Sequence, residues 1–227
     1  MLYDETAVRD NIRNREGRRV FFLGEDDLLT PSARDYLQRQ RVEIRPAREA
    51  KMDTYRLLGG GFTKEKPEHM THLNGDVLVG KNHPRIRFRG AMDSLEAVLL
   101  QTMLTTGIPE LKEILELARR LIRCEVMDEP VGEFILCGLT EQEQRKHSHF
   151  PQKYYDQPHF MPQAEHGQRV LALNNCRCAA RAAELVAVDA FVDTDGKVLR
   201  EDILKAMNRM SSMLYILMIR EKAKHKE

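Results

Sequence analysis

Arg177, Arg181 and Glu184 recur at i, i+4 and i+7 within residues 173–188, LNNCRCAARAAELVAV. That stretch has high helix propensity and neither Pro nor Gly, so a helix would bring the three charges to one face. Guanidiniums keep their charge and present forked donors, so the chemistry such a face could do is binding of an anionic or ionic group. Burying these charges is costly unless something anionic or ionic meets them. A solvated stripe with an Arg181–Glu184 pair at i, i+3 is the competing account, since exposed pairs of this kind are ordinary. The helix by itself leaves both open.

Two further stretches hold residues that could do chemistry. Residues 50–90 carry Gly59, Gly60, Gly61, Gly75, Gly80 and Gly90 together with Lys81. Backbone N–H groups of such a loop can approach phosphates closely, but no GxxxxGK[ST] is present and a flexible linker has the same composition. Residues 140–167 place His147, His149, His159 and His166 among Phe150, Tyr154, Tyr155 and Phe160. Histidines invite a metal-site or metal-sensor reading. Pro151, Pro158 and Pro162, and the lack of ligand spacing, favour a long binding loop or lid instead. The DTDG of residues 193–196 lacks the glycine position and final glutamate of a calcium loop.

Composition removes several classes. Charged residues make up 31% of the chain yet nearly cancel to a net charge of +1, which gives no case for nucleic-acid or membrane binding. No run of about 18 apolar residues is present, and the first residues show no basic start followed by an apolar core. The cysteines, Cys124, Cys137, Cys176 and Cys178, form neither a zinc spacing nor a disulfide framework, so a cytoplasmic, reducing home is expected.

The elements that must position these groups can be taken in order. Val20, Phe21, Phe22 and Leu23 predict a short buried strand, Thr30-Pro31 predicts a helix start running to about Gln40, and residues 42–45 a second strand. This strand–helix–strand appendage is expected over residues 1–48, with the main domain over 49–227. Residues 50–90 are expected to be loop. Asp93-x-x-Glu96 reads as a capping box opening a helix, a second helix follows Pro109, and residues 130–138 could extend it. The last helix, about 200–222, carries Met207, Met210, Leu214 and Leu217 as core, with the tail EKAKHKE fraying. The fold class expected is mainly α, a bundle of four to five helices.

Several of these residues also fall into a known order. Thr71, Leu73, Gly75, Val79, Lys81, Arg85, Ile86, Gly90, Asp93 and Leu95 answer, without a gap, the pattern T-x-L-x-G-x-x-x-V-x-K, R-[VI], G-x-x-D-x-L. Phe160-Met161-Pro162 resembles an F-x-x-P element shortened by one residue. Residues 177–185 resemble R-T-x-x-R-R-A-E-R, and Asn208-Arg209-Met210-Ser211 resembles L-N-R-L-S from its asparagine on. Together, over residues 66–220, the chain resembles the ATP:corrinoid adenosyltransferases of the PduO/EutT superfamily. Its appendage, with TPSARDYL, is similar to the EutT branch, which serves ethanolamine utilisation. There are departures. The family's GDxGTT phosphate loop falls on Lys66-Pro67-Glu68-His69-Met70-Thr71, without its glycines, and Ala182 stands where a second arginine is usual. The clustered cysteines that hold a metal in some EutT-type members are missing, since no cysteine precedes Cys124, which leaves a His-only set of His69, His72 and His83.

The resemblance implies transfer of the 5′-deoxyadenosyl group of ATP to cob(I)alamin, with Mg²⁺ accompanying the nucleotide, for ethanolamine ammonia-lyase. It implies that Arg177 and Arg181 oppose charge on the leaving phosphates, and that Arg181, Glu184, Asn208, Thr71 and Lys81 contact ATP. Asp93 is expected to pair with Arg177 across a subunit boundary of a helical-bundle trimer. Phe160, or in its place Tyr154 or Tyr155, is expected to face the corrinoid's lower side. A reduced flavoprotein is the expected electron donor, and association with a bacterial microcompartment is the expected setting. The competing class is a non-catalytic corrinoid- or nucleotide-binding bundle that has lost turnover with its phosphate-loop glycines.

Overall fold

A computed structural model describes residues 1–15, 17–50 and 54–224, and the chain divides into two compact units, Met1–His83 and Pro84–Glu227. The first begins with β1 (Leu2–Tyr3), α1 (Glu5–Asn11), β2 (Arg13–Arg15), β3 (Arg18–Leu23), β4 (Leu28–Leu29), α2 (Pro31–Arg39) and β5 (Glu43–Pro46). Thr30 caps α2 by accepting from the Ala33 N–H at 3.2 Å, and Pro31 opens the helix, as Thr-Pro predicts. β3 is central, antiparallel to β2 and parallel to β5, and its Val20 and Phe21 are buried. The expected strand–helix–strand core is therefore present as β3–α2–β5.

The expectation of loop over residues 50–90 is corrected; its residues 51–53 lie outside the described residues. β6 (Tyr55–Leu57), β7 (Phe62–Thr63), β8 (Met70–Asn74) and β9 (Val77–Gly80) form one sheet in the order β7-β6-β9-β8. The glycines that suggested a loop serve as its turns. Gly60 and Gly61 reverse the chain with positive φ, and Gly75, at φ +53, turns β8 into β9. A Cβ on Gly75 would lie 2.0 Å from the Asn14 carbonyl oxygen, so that turn requires glycine. Because this sheet belongs to the first unit, the division falls at 83/84 rather than at the expected 48/49.

The second unit is built on α3 (Pro84–Thr106), α4 (Leu111–Met127), α7 (Gly167–Phe191) and α8 (Glu201–Lys224), with the short α5 (Glu141–His149) and α6 (Pro151–Tyr155) between. One continuous core joins them, from Phe88, Leu95 and Leu121 through Cys176, Ala180 and Ala187 to Met207, Met210, Leu214 and Leu217. Ala180, Ala183 and Ala187 give α7 a narrow buried face on which α3 and α8 both pack. This is the expected mainly α bundle.

Three expected boundaries are corrected. Asp93 opens no helix: α3 starts at Pro84 and Asp93 is exposed in its interior. Residues 130–138 do not extend α4, which ends where Asp128 turns left-handed at φ 55. They lead instead into a hairpin of β10 (Ile135–Leu136) and β11 (Leu139–Thr140), turned by Cys137 and Gly138, both at positive φ. Residues 140–167 are also not one long loop. Thr140 and Glu143 form a capping box at the start of α5, and Pro151 opens α6. The expected fray of the tail concerns residues 221–227, of which α8 includes those to Lys224 and residues 225–227 lie outside the described ones.

Candidate active site

The helical spacing of Arg177, Arg181 and Glu184 does place them together. They line a surface groove of about 320 Å³ along α7, together with Cys178, Ala182 and Leu185. Arg181 is exposed, while Arg177 and Glu184 are half-buried. Asn208 of α8 donates its side-chain amide to Glu184 Oε1 at 3.0 Å, so the two helices meet at this pair. Orienting Glu184 in this way leaves both guanidiniums without a carboxylate ion pair among the described residues, ready to face an anion.

Arg177 is held on two sides. Asn174, one helical turn earlier, accepts from its Nη2 at 3.2 Å, and its Cζ lies 5.9 Å from the ring centroid of Tyr215. Tyr215 also stacks on Phe160, with centroids 6.1 Å apart, and its hydroxyl meets His159 Nδ1 at 3.0 Å. Phe160 is half-buried, edge-on to His166, with Lys222 Nζ 4.5 Å from its centroid. Thus Phe160 and Arg177 belong to one aromatic–cation cluster. Tyr154 and Tyr155 belong to another: His147 stacks on Tyr154 at 3.8 Å and bonds the Tyr155 hydroxyl at 2.7 Å. Burial lowers the pKa of His147, so its imidazole is neutral near pH 7. Of the three aromatics considered from sequence, only Phe160 joins the cluster around Arg177.

The remaining expected residues divide as follows. Thr71 and Lys81 share the β8–β9 hairpin, where Thr71 pairs with Val79 and the Lys81 N–H donates to the His69 carbonyl at 2.9 Å. His72 Nδ1 is engaged with the Gly75 carbonyl at 3.1 Å. His69, His72 and His83 do not assemble into a metal-ligand group, and no cluster of three or more His, Cys, Asp or Glu able to hold a metal occurs among the described residues. Asp93 forms no ion pair with Arg177 within the chain among the described residues, although α3 packs on α7.

Sequence reasoning missed Tyr215 and Asn174, and gave Arg209 no role beyond its place in the Asn208-Arg209-Met210-Ser211 motif. Tyr215 follows Asn208 by seven residues, a spacing that puts both on one face of α8. Asn174 precedes Arg177 by three. Both signals were available in the helical periodicity. Arg209 is adjacent to Asn208 and donates to its side-chain oxygen, but nothing in the sequence marks it as buried.

The second unit is thus a helical bundle that presents an arginine groove beside an aromatic cluster. The cobalamin adenosyltransferase family model matches residues 61–221, and the chain belongs to that family. Among individual proteins it is similar to Corrinoid adenosyltransferase EutT of Salmonella typhimurium, 33% identical across 97% of this chain and 92% of that one. It is also similar to Corrinoid adenosyltransferase EutT of Escherichia coli, 30% identical across 95% and 90%. Two solved structures share the fold, both variants of a PduO-type ATP:corrinoid adenosyltransferase from Lactobacillus reuteri complexed with cobalamin and ATP. One has a TM-score of 0.53 at 17% identity, covering 70% of this chain and 91% of that one. The other has a TM-score of 0.52 at 20% identity, covering 70% and 89%.

Proposed function

We propose that this chain transfers the 5′-deoxyadenosyl group of ATP to cob(I)alamin, forming adenosylcobalamin. The observation that carries the reading is the α7 groove, where Arg177 and Arg181 form no carboxylate ion pair among the described residues and Glu184 is fixed by Asn208, in a chain of the cobalamin adenosyltransferase family. Cobalt(I) supplies both electrons of the new cobalt–carbon bond. The C5′–O5′ bond of ATP breaks and triphosphate leaves with its electron pair. The protein needs to align C5′ with cobalt and to oppose the charge gathering on the leaving phosphates, and the two guanidiniums suit the second task. Glu184 and Asn208 serve as nucleotide contacts, with Thr71 and Lys81 added on the strength of the family motif. Mg²⁺ usually takes one or two carboxylates alongside substrate phosphates; Glu184, the carboxylate lining the groove, fits that demand.

Phe160 is proposed to face the corrinoid's lower side and keep the axial base away, supported by its place beside Arg177 through Tyr215. Removing an axial donor lowers the cobalt orbital that accepts the electron, and a reduced flavoprotein is the proposed donor. The chain is proposed to work as a trimer with Asp93 meeting Arg177 of a neighbour. In support, Asp93 shares its exposed face of α3 with Leu100 and Leu104, which are 44% and 83% exposed, as a face covered on assembly would be. The EutT relatives match almost the whole chain, first unit included. That favours service to ethanolamine ammonia-lyase, in the cytoplasm and in association with a microcompartment.

The test is to mix the protein with chemically reduced cob(I)alamin and MgATP and follow the absorbance change to adenosylcobalamin. Binding of both substrates without product would support a non-catalytic bundle, whose warrant is the glycine-free segment at residues 66–71.

A further inference from the structure

On the flank of α8 that faces α5 lies a cavity of about 1020 Å³ whose wall holds four cations, Arg120 of α4, Arg145 of α5, and Lys205 and Arg209 of α8, against two carboxylates, Glu133 and Glu141. Two of these cations are committed. Lys205 pairs with Glu141 at 2.7 Å, and Arg120 donates to the carbonyls of Val131 and Glu133. Arg145 and Arg209 have no carboxylate partner of this kind among the described residues. Arg209 is only 9% exposed, and its Nε is buried with no hydrogen-bond partner among the described residues. Burial, and then the charge of Arg145, disfavour its charged state more than Glu141 and Glu184 favour it. A guanidinium kept charged and short of a partner is expensive, unless an anion enters to complete it. Phe134 and Ile135, the latter 63% exposed, add an apolar wall.

We propose that this cavity is a second anion site, separate from the α7 groove, that takes the phosphate chain of an inorganic oligophosphate or of a nucleoside triphosphate. Arg209 and Arg145 are its main contacts, with their forked donors matching phosphate oxygens. Arg209 donates to the same Asn208 whose amide donates to Glu184. An anion drawing Arg209 into the cavity therefore withdraws a donor from Asn208 and alters the pair at the groove. That coupling to adenosyl transfer rests on the function proposed above; the binding does not.

Inorganic tripolyphosphate is the probe, titrated calorimetrically into the full chain carrying Arg181→Glu, which disables the groove. This protein is expected to bind one tripolyphosphate. Adding Arg145→Glu should raise its Kd at least about tenfold, since a hydrogen bond to a charged group is lost and an opposing charge gained. Arg145 is exposed, and Arg145→Gln provides a milder variant; circular dichroism confirms folding of each. ATP in place of tripolyphosphate identifies the source: tighter binding assigns the site to a nucleotide packing on Phe134 and Ile135, weaker binding to free oligophosphate. Either order supports the site. Absence of tripolyphosphate binding to the Arg181→Glu protein, or equal affinity with and without Arg145→Glu, would overturn it. Neither result depends on whether the wild type makes adenosylcobalamin.

Discussion

Cys178 stands between the two groove arginines and is exposed, while Cys124 and Cys176 are buried and Cys137 is half-buried. Burial raises the pKa of all three; Cys137, with Glu113 and Glu110 adding to the effect, is pushed up to about 12. Thiolate is the reactive form, so iodoacetamide near pH 8 should label Cys178 first. MgATP should slow that labelling several-fold, as read by mass spectrometry of the modified peptide; unchanged labelling at saturating MgATP would mean the groove is not where nucleotide binds. Phe160→Ala makes a separate prediction. It should slow a reaction started from cobalt(II) by tenfold or more and one started from chemically made cobalt(I) by much less, measured by product absorbance. Equal losses would assign Phe160 only to packing against Tyr215. At this scale the arginines were legible because helical spacing is a local property. Tyr215 was not singled out because in a Met- and Leu-rich helix it reads as core; its seven-residue spacing from Asn208 takes on meaning only with the packing that brings its ring to both Phe160 and Arg177.

The helix ends show how the same local signal can succeed or fail. Asp93-x-x-Glu96 has the pattern of a capping box but lies inside α3, because Pro84 starts the helix earlier and Gly90 is tolerated within it. The pattern at Thr140-x-x-Glu143 is a true box. What draws α3 back to Pro84 is a contact no local pattern reveals: Arg85 and Arg89, one turn apart, both bond Glu125 of α4, which is 0% exposed. Removing one side of such a buried pair leaves charge uncompensated, so Glu125→Ala should destabilise the bundle by about 3 kcal/mol in urea unfolding. A cost under about 1 kcal/mol would show the cluster to be well solvated. Asp202, in the first turn of α8, accepts from Arg200 at 2.9 Å and from the Val131 N–H at 3.0 Å. Burial alone would raise its pKa, but these bonds outweigh it and hold the carboxyl at about 2, against 3.8 ordinarily. The folded-state pKa is the lower one, so the stabilisation is present above about pH 4 and disappears as pH falls towards about 2. Asp202→Asn should therefore cost about 2 kcal/mol at pH 7, and the gap to wild type should narrow as unfolding is repeated from pH 5 to pH 3. A gap independent of pH would contradict the ionised assignment.

At the scale of the whole molecule, the mainly α character and the long helices were legible, because amphipathic periodicity over several turns is a strong signal. The sheet of residues 55–80 was not, because strands of two to five residues joined by glycines carry too little pattern to separate from linker. Assembly offers the next prediction. Asp93 is well inside α3, so Asp93→Asn removes no cap. If its carboxylate meets Arg177 of a neighbouring chain, the substitution should weaken sedimentation as an oligomer and activity together, and exchanging the charges of Asp93 and Arg177 should partly restore assembly. Wild-type sedimentation and turnover by Asp93→Asn would leave Asp93 a solvated surface group. The central claim is that the α7 groove carries the transfer itself. Its most direct test is a single-turnover comparison of wild type and Arg181→Ala, each mixed with pre-formed cob(I)alamin and saturating MgATP and followed spectroscopically. The account predicts conversion by the wild type and a rate roughly 10- to 100-fold lower for the variant, as loss of a charge-assisted phosphate contact worth about 1.5–3 kcal/mol requires. Equal rates for the two proteins would contradict it.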